Sequence, residues 1–82
     1  MSCLIVFRSM TQAQNVANIL LKSGISSAQT KPPVQLGRGS CAFGLIIGSQ
    51  YLPVALRLLQ KTAITPLGIF ESTPSGWREV IL

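Results

Sequence analysis

The chain lacks the side chains on which most hydrolytic and metal-dependent enzymes rely. Its 82 residues include no histidine and no aspartate, and the only glutamates are Glu71 and Glu79. Without histidine, neither a serine–histidine–acid triad nor a cysteine–histidine pair can form within the chain. Two glutamates near one end leave little scope for paired-carboxylate acid–base catalysis. These absences argue against most hydrolytic and metal-dependent enzymes, so we predict a protein that is not an enzyme.

Cysteines are few and long hydrophobic runs are absent. Cys3 and Cys41 are too few for a disulfide scaffold, and without histidine or aspartate they cannot complete a four-ligand zinc site. We expect no metal and no cofactor. The longest apolar run, residues 41–48, is far shorter than a membrane span and contains two glycines. No basic stretch followed by a long apolar segment opens the chain, so we expect a cytoplasmic protein without membrane association.

Acidic charge is scarce, and the formal net charge is +5. No acidic residue precedes position 71, whereas six basic residues do: Arg8, Lys22, Lys31, Arg38, Arg57 and Lys61. Such an excess can attract nucleic acid or an acidic protein. Because these residues are scattered rather than clustered, we favour the interpretation that they keep an apolar domain soluble.

Two strand–helix–strand units follow one another along the chain. β-favouring residues predict four strands: residues 3–8, 25–30, 41–48 and 64–71. Ser9 and Gln12 form a capping-box pattern at the start of the first helix, and Gly24 is placed to end it. Ser49 is a candidate cap for the second helix, where Pro53 falls in the first turn.

Apolar residues recur in both helices at the spacing of one buried face. They are the following: Ala13, Val16, Ala17, Leu20 and Leu21 in the first helix, and Leu52, Ala55, Leu56 and Leu59 in the second. The order of elements predicts an α+β, ferredoxin-like βαββαβ sandwich. In this fold a four-stranded antiparallel sheet carries both helices on one face, with the first and third strands central. Residues 1–71 would form the domain.

Residues 72–82 are predicted to be a turn followed by a short apolar tail. The sheet face away from the helices is apolar and needs cover. Trp77 and the tail could supply it, or a second subunit could, and we predict a homo-oligomer. Trp77 is expected to cover apolar surface rather than to stack on a ligand.

The segment "GRGSC" leads into the third strand and presents a thiol. In the predicted sheet Cys41 lies near the end of the first strand, beside Arg8 and Ser9 at the N-terminus of the first helix. A helix N-terminus and a guanidinium both favour a thiolate over a thiol. Cysteine at the start of a strand is equally typical of a small buried hydrophobe, so both interpretations stay open.

The loop before Cys41 offers further groups that could stabilise an anion. Arg38 could approach the thiolate from the loop, and the backbone N–H groups of Gly37, Gly39 and Ser40 could hold an anion. Residues 37–42 also match G-x-G-x-x-A formally. They follow a loop and open a strand, however, whereas a dinucleotide fingerprint follows a strand and opens a helix.

Cys3 is expected to be a small buried residue rather than a second site. It opens the first strand, at the opposite end of the sheet from the predicted position of Cys41. A strand of five or six residues spans roughly 17–20 Å, whereas bridged Cα atoms lie within about 7 Å. A Cys3–Cys41 disulfide within the chain is therefore disfavoured.

Several motifs together resemble a known family. They are the opening strand with its S-x-x-x-A helix start, the P-P-V-Q-L…G-S-C…G-L centre and the closing L-G-I-F strand. These are similar to the selenium/sulfur (Se/S) carrier-like proteins, small bacterial domains of about this length, over residues 3–71. The resemblance implies a ferredoxin-like fold in which Cys41 carries sulfur or selenium as a persulfide or selenopersulfide. It also implies donor and acceptor proteins as partners.

Two other functions compete with carriage. An RNA-binding module of this fold would stack bases on aromatic residues of the open sheet face, for which the central strands offer only Phe7 and Phe43. No aromatic-basic motif accompanies them, so nucleic acid is not the expected partner. A regulatory or assembly module would instead use the apolar sheet face to bind another chain.

Overall fold

The computed structural model describes residues 2–30, 42–62 and 64–80 of the chain. In chain order the elements are β1 (Ser2–Phe7), α1 (Met10–Lys22), β2 (Ala28–Thr30), β3 (Phe43–Gly48), a 3-10 turn (Ser49–Tyr51), α2 (Leu52–Thr62), β4 (Gly68–Thr73) and β5 (Gly76–Glu79). The sheet order is β2-β3-β1-β4-β5, and every pair of neighbours is antiparallel. The described residues thus form an α+β fold with two helices and a five-stranded antiparallel sheet.

β1 is the middle strand of the sheet. It pairs with β3 on one side, with Phe7 opposite Phe43, and with β4 on the other, with Val6 opposite Gly68. Each of its residues from Cys3 to Phe7 is buried. A strand that is covered on both faces needs a continuous apolar run, which "CLIVF" provides.

Side chains alternate between the two faces of the sheet and form two clusters. Cys3, Ile5 and Phe7 point toward the helices, whereas Leu4 and Val6 point away. The helix-side cluster also contains these buried residues: Ala13, Val16, Leu20, Ile25, Leu45, Ile47, Ala55, Leu59 and Ile69. Since both helices contribute to this one cluster, they lie on the same face. The opposite cluster joins Leu4 and Val6 to Ala42 and Phe70, with Ile46, Leu67 and Trp77 packed against them.

The prediction of a four-stranded sheet is wrong, because residues 76–79 form a fifth strand. Gly76 has a φ of +132°, which favours glycine, and its carbonyl accepts a hydrogen bond of 2.8 Å from the Thr73 hydroxyl. This closes a tight turn that returns the chain along β4, where Trp77 packs against the opposite cluster. Pairing with β4 satisfies backbone groups of an otherwise open edge. Trp77 therefore covers the sheet, as predicted.

The two helices agree with the sequence analysis except at two points. Gly24 has a φ of +82° just after α1, as expected for the residue that ends a helix. Leu21, however, is 65% exposed, because the buried stripe runs along Ala13, Val16 and Leu20 only. Ser49 does not cap the second helix: it begins the 3-10 turn, and no side chain caps that turn.

Three strands begin later than predicted. β2 comprises only Ala28–Thr30, β3 begins at Phe43, and β4 begins at Gly68 rather than at residue 64. The predicted loop at 31–40 and the end of the apolar tail at 81–82 lie outside the described residues.

Candidate functional site

The end of β1, the start of α1 and the start of β3 meet at one end of the sheet. Phe7 and Phe43 are the last pair of the β1–β3 ladder. Arg8 and Ser9 follow Phe7 in the chain, and Ala42, which is buried, precedes Phe43. We call Arg8, Ser9 and Ala42 the β1–β3 edge. Its position is the one that the sequence predicts for the approach to Cys41.

Ser9 caps α1 as the sequence predicts. Its Oγ accepts a hydrogen bond of 3.3 Å from the Gln12 backbone N–H, and the backbone N–H of Arg8 donates to Oε1 of Gln12 at 3.4 Å. The Ser9 backbone is extended, with φ −149° and ψ 161°, as at other helix caps. The Ser9 hydroxyl keeps its own proton for a further acceptor, so the cap leaves a donor at the β1–β3 edge.

Replacing Ser9 by alanine should lower the free energy of unfolding by about 1 kcal/mol, the usual cost of a lost N-cap. Urea denaturation followed by circular dichroism would measure this loss. Ser26→Ala, at an exposed serine outside the helices, is the matched control and should change stability by less than about 0.5 kcal/mol. An equal effect of the two substitutions would mean that the cap does not hold α1.

Five predicted site residues lie outside the described part of the chain: Gly37, Arg38, Gly39, Ser40 and Cys41. The structure brings together the other two, Arg8 and Ser9, with Ala42. Cys41 is the residue directly before Ala42 in the sequence. The guanidinium-bearing Arg8 is exposed, so its charge is accessible from solvent.

Cys3 is a buried, free thiol at the other end of β1. It pairs with Ile47 on one side and with Glu71 on the other. Burial raises the pKa of the Cys3 thiol above its usual value, the Glu71 carboxylate raises this pKa further, and the N-terminal amino group opposes them. A buried thiol whose thiolate is disfavoured is a poor nucleophile. This confirms the expectation that Cys3 is a small buried residue.

The raised pKa of Cys3 predicts a loss of stability at alkaline pH. Between the usual pKa and the raised one, the unfolded chain has released the Cys3 proton and the folded protein has not, so rising pH favours unfolding. Denaturant titrations from pH 7 to 10 would measure the decline. Cys3→Ala should decline less than the wild type above pH 9. Parallel curves for the two proteins would show that Cys3 does not titrate abnormally.

An apolar groove opens between α2 and the start of β4. We call it the α2–β4 groove, and its lining residues are Leu56, Leu59, Gln60, Ile64, Thr65, Pro66 and Ile69. Its volume is about 620 Å³. The sequence alone does not reveal it, because residues 64–67 belong to a predicted strand. Pro66 is the signal that could have placed a loop there, since proline is rare inside strands.

Neither a metal centre nor a membrane span is found in the described residues. In the ranges 2–30, 42–62 and 64–80, no three histidine, cysteine, aspartate or glutamate side chains gather where they could hold a metal. Neither helix described there is long and apolar enough to cross a membrane.

Comparison with known proteins identifies one family. A family model described as "Putative Se/S carrier protein-like" matches residues 2–71. This range runs from the start of β1 into β4, includes Cys41, and stops before β5. No curated protein matches the chain significantly, and no solved structure does.

Proposed function

Since the chain belongs to the Se/S carrier protein-like family, we propose that it carries sulfur or selenium on Cys41 as a persulfide or selenopersulfide. The family match over residues 2–71 is the observation that supports this function most strongly. The alternative for Cys41, a small buried hydrophobe at a strand start, does not explain the preceding "LGRGS".

We further propose that β1–β4 with the two helices form a ferredoxin-like unit to which β5 is added. The sequential order of strands and helices, the sheet order β2-β3-β1-β4 and the placement of both helices on one face support this. In such a unit β1 and β3 are antiparallel neighbours, so the end of β1 adjoins the start of β3.

The proposed loading step transfers one sulfur atom between two cysteines. The Cys41 thiolate attacks the outer sulfur of a persulfide on the donor protein. The donor's S–S bond breaks, its cysteine leaves as a thiolate, and a new S–S bond forms on Cys41. The proton of the outer sulfur stays with the transferred atom, so no oxidant or reductant is consumed. Selenium is transferred in the same way from a selenopersulfide.

The β1–β3 edge suits this step because it favours negative charge on sulfur. Arg8 brings a positive charge, and the N-terminus of α1, capped by Ser9, adds the positive end of a helix dipole. Arg38 and the backbone of Gly37, Gly39 and Ser40 complete the proposed set of anion-stabilising groups. No general base is required, because the partner proteins supply the chemistry of release. The protein thus functions as a carrier rather than as an enzyme.

The structure offers little to the RNA-binding alternative. Phe7 is fully buried and Phe43 is half-buried, and both belong to the helix-side cluster rather than to the open face of the sheet. Neither ring can therefore stack on a base without disrupting the core. Leu4 and Val6 on the opposite face are buried within one chain, so these two side chains need no second subunit to cover them. The homo-oligomer stays a prediction.

Intact mass spectrometry tests directly whether the protein binds sulfur or selenium covalently. The reduced protein is incubated with a cysteine desulfurase and cysteine, or selenocysteine, and then separated from both. We expect a mass increase of one sulfur or one selenium atom that dithiothreitol removes. A protein whose mass stays unchanged while iodoacetamide still alkylates Cys41 would contradict the proposal.

A further inference from the structure

We propose that the α2–β4 groove is the docking site for an apolar, acid-flanked segment of the partner protein that exchanges sulfur with Cys41. The inference rests on the proposed carrier function for the identity of the partner. The groove itself, its apolar lining and its charged border are features of the described residues alone.

The groove has the size and lining of a binding site. Its volume of about 620 Å³ lies within the range of about 300–1,000 Å³ that is usual for ligand sites. Five of its seven lining side chains are apolar, and Gln60 and Thr65 add hydrogen-bonding groups. A smaller cavity of about 210 Å³ adjoins it, since Thr65, Pro66 and Ile69 line both, and Gly68, Glu79 and Val80 complete its wall. A groove open to solvent with an adjoining second cavity fits a segment of polypeptide better than a compact small molecule.

The groove lies at the end of the sheet where transfer would take place. The Leu67 N–H, next to groove residue Pro66, donates a hydrogen bond of 2.7 Å to the carbonyl of Val6. On the other side of β1, Phe43 pairs with Phe7. Only β1 separates β4 from β3, so the two strand starts are about 10 Å apart, two strand spacings. A protein held in the groove would therefore also reach the β1–β3 edge.

Charge along α2 determines the kind of segment. Arg57 and Lys61 are both exposed and lie four residues apart, so they share one side of the helix. Arg57 directly follows the groove residue Leu56, and Lys61 directly follows the groove residue Gln60. Both charges therefore lie next to the wall of the groove. α2 contains no acidic residue, and the described part of the chain shows no ion pair for Arg57 or Lys61. Acidic side chains beside the apolar segment would complement these two charges.

The same charges argue against a second copy of this chain as the occupant. The chain has only two acidic residues against seven basic ones, and Glu71 pairs with Arg78 at 3.4 Å. Another copy would bring mainly positive charge to Arg57 and Lys61. The acidic flank of the partner segment is therefore expected on the α2 side, next to Arg57 and Lys61.

Fluorescence anisotropy with two defined peptides tests the docking site. Both are fluorescein-labelled and share a Leu-Ile-Leu core, which is flanked by glutamates in one and by lysines in the other. We expect the glutamate peptide to bind the wild-type protein at least tenfold more tightly. Lys61→Glu should weaken this binding roughly fivefold. Lys22→Glu, which makes the same charge change at the far end of α1, should leave it unchanged.

A second pair of variants tests the apolar part without removing any core side chain. Gln60→Trp places a large ring in the groove and should weaken the glutamate peptide at least fivefold. Gln14→Trp, at an exposed position of α1, should not. Equal affinity of the wild-type protein for the two peptides would overturn the proposal. It would also be overturned if Lys61→Glu bound the glutamate peptide as tightly as Lys22→Glu does, or Gln60→Trp as tightly as Gln14→Trp does. Self-association of the wild type that Lys61→Glu abolishes would likewise overturn it, since a second copy would then occupy the groove.

Loading Cys41 from two different sulfur donors distinguishes a protein that does not dock its partner from one that does not carry sulfur. Sodium polysulfide delivers sulfur to a thiol without a protein partner, whereas a cysteine desulfurase must dock. We expect Lys61→Glu to load from polysulfide at the wild-type rate. With the desulfurase as donor, half-maximal loading should require a concentration of Lys61→Glu several times higher than that of the wild type. Loading by neither route would refute carriage, while the peptide titrations would still decide whether the groove binds. Equal desulfurase kinetics for Lys61→Glu and wild type would overturn the groove's role in sulfur exchange.

Discussion

Cys41→Ser is expected to abolish the loading of sulfur or selenium completely. Serine has nearly the shape of cysteine, but its hydroxyl does not form a persulfide, so the mass increase seen with the wild type should disappear. Intact mass spectrometry after incubation with a cysteine desulfurase and cysteine measures the loss. The variant should remain folded, because only one atom of the side chain changes.

Cys3→Ala is the matched control for this prediction. Cys3 is fully buried among the helix-side residues, and its raised pKa disfavours the thiolate that loading requires. The variant should load to the same extent as the wild type. If loading persisted in Cys41→Ser and disappeared in Cys3→Ala, Cys3 at the start of β1 would be the carrier residue. This result would refute the proposed site.

Leu20→Ala should lower the free energy of unfolding by about 2–5 kcal/mol, whereas Leu21→Ala should change it by less than about 0.5 kcal/mol. The two leucines are neighbours in α1, but Leu20 is fully buried in the cluster that joins the helices to the sheet, and Leu21 is 65% exposed. Urea denaturation of both variants measures the difference. Because a small domain is only marginally stable and a loss of this size is a large fraction of its total stability, the comparison is best made at low temperature.

Similar losses in the two variants would contradict the described packing of α1. A larger loss for Leu21→Ala would place the buried stripe on the neighbouring face of the helix. That face would then have to meet the sheet and α2, and the position of Ser9 at the β1–β3 edge would change with it.

Features that depend on local sequence were predictable. The cap at Ser9 and Gln12 and the left-handed residue Gly24 require only a few neighbouring residues, and both are present in the structure. The long apolar run of β1 likewise identified the strand that is buried on both faces. Together these three features place β1 and both ends of α1.

Features that depend on contacts distant in sequence were not predictable. β5 is a strand because its backbone pairs with β4, and a four-residue segment with two charged residues carries little signal of its own. Leu21 fits the apolar spacing of α1, but the packing of the helix against the sheet determines which of these apolar residues are buried. The α2–β4 groove requires the end of α2, the loop at Thr65 and Pro66 and the strand residue Ile69 to meet, which no single stretch of sequence reveals.

For the candidate site, too, some residues were predictable from the sequence and others stay untested. The place of Cys41 at the head of a predicted strand and the family resemblance both indicate this residue, and the matched range of the family includes it. Arg8 and Ser9 were assigned through the antiparallel pairing of the first and third strands, and the Phe7–Phe43 pair confirms that pairing. The contributions of Gly37, Arg38, Gly39 and Ser40 stay predictions, since these residues lie outside the described part of the chain.

The most direct test of the account is to locate the added atom in the loaded wild-type protein. The protein is loaded by a cysteine desulfurase with isotopically labelled cysteine, alkylated, digested and sequenced by tandem mass spectrometry. We predict that the labelled sulfur lies on Cys41 and that Cys3 is recovered without it. Labelled sulfur on Cys3, or none on either cysteine while Cys41 is freely alkylated, would contradict the claim that this domain is a carrier.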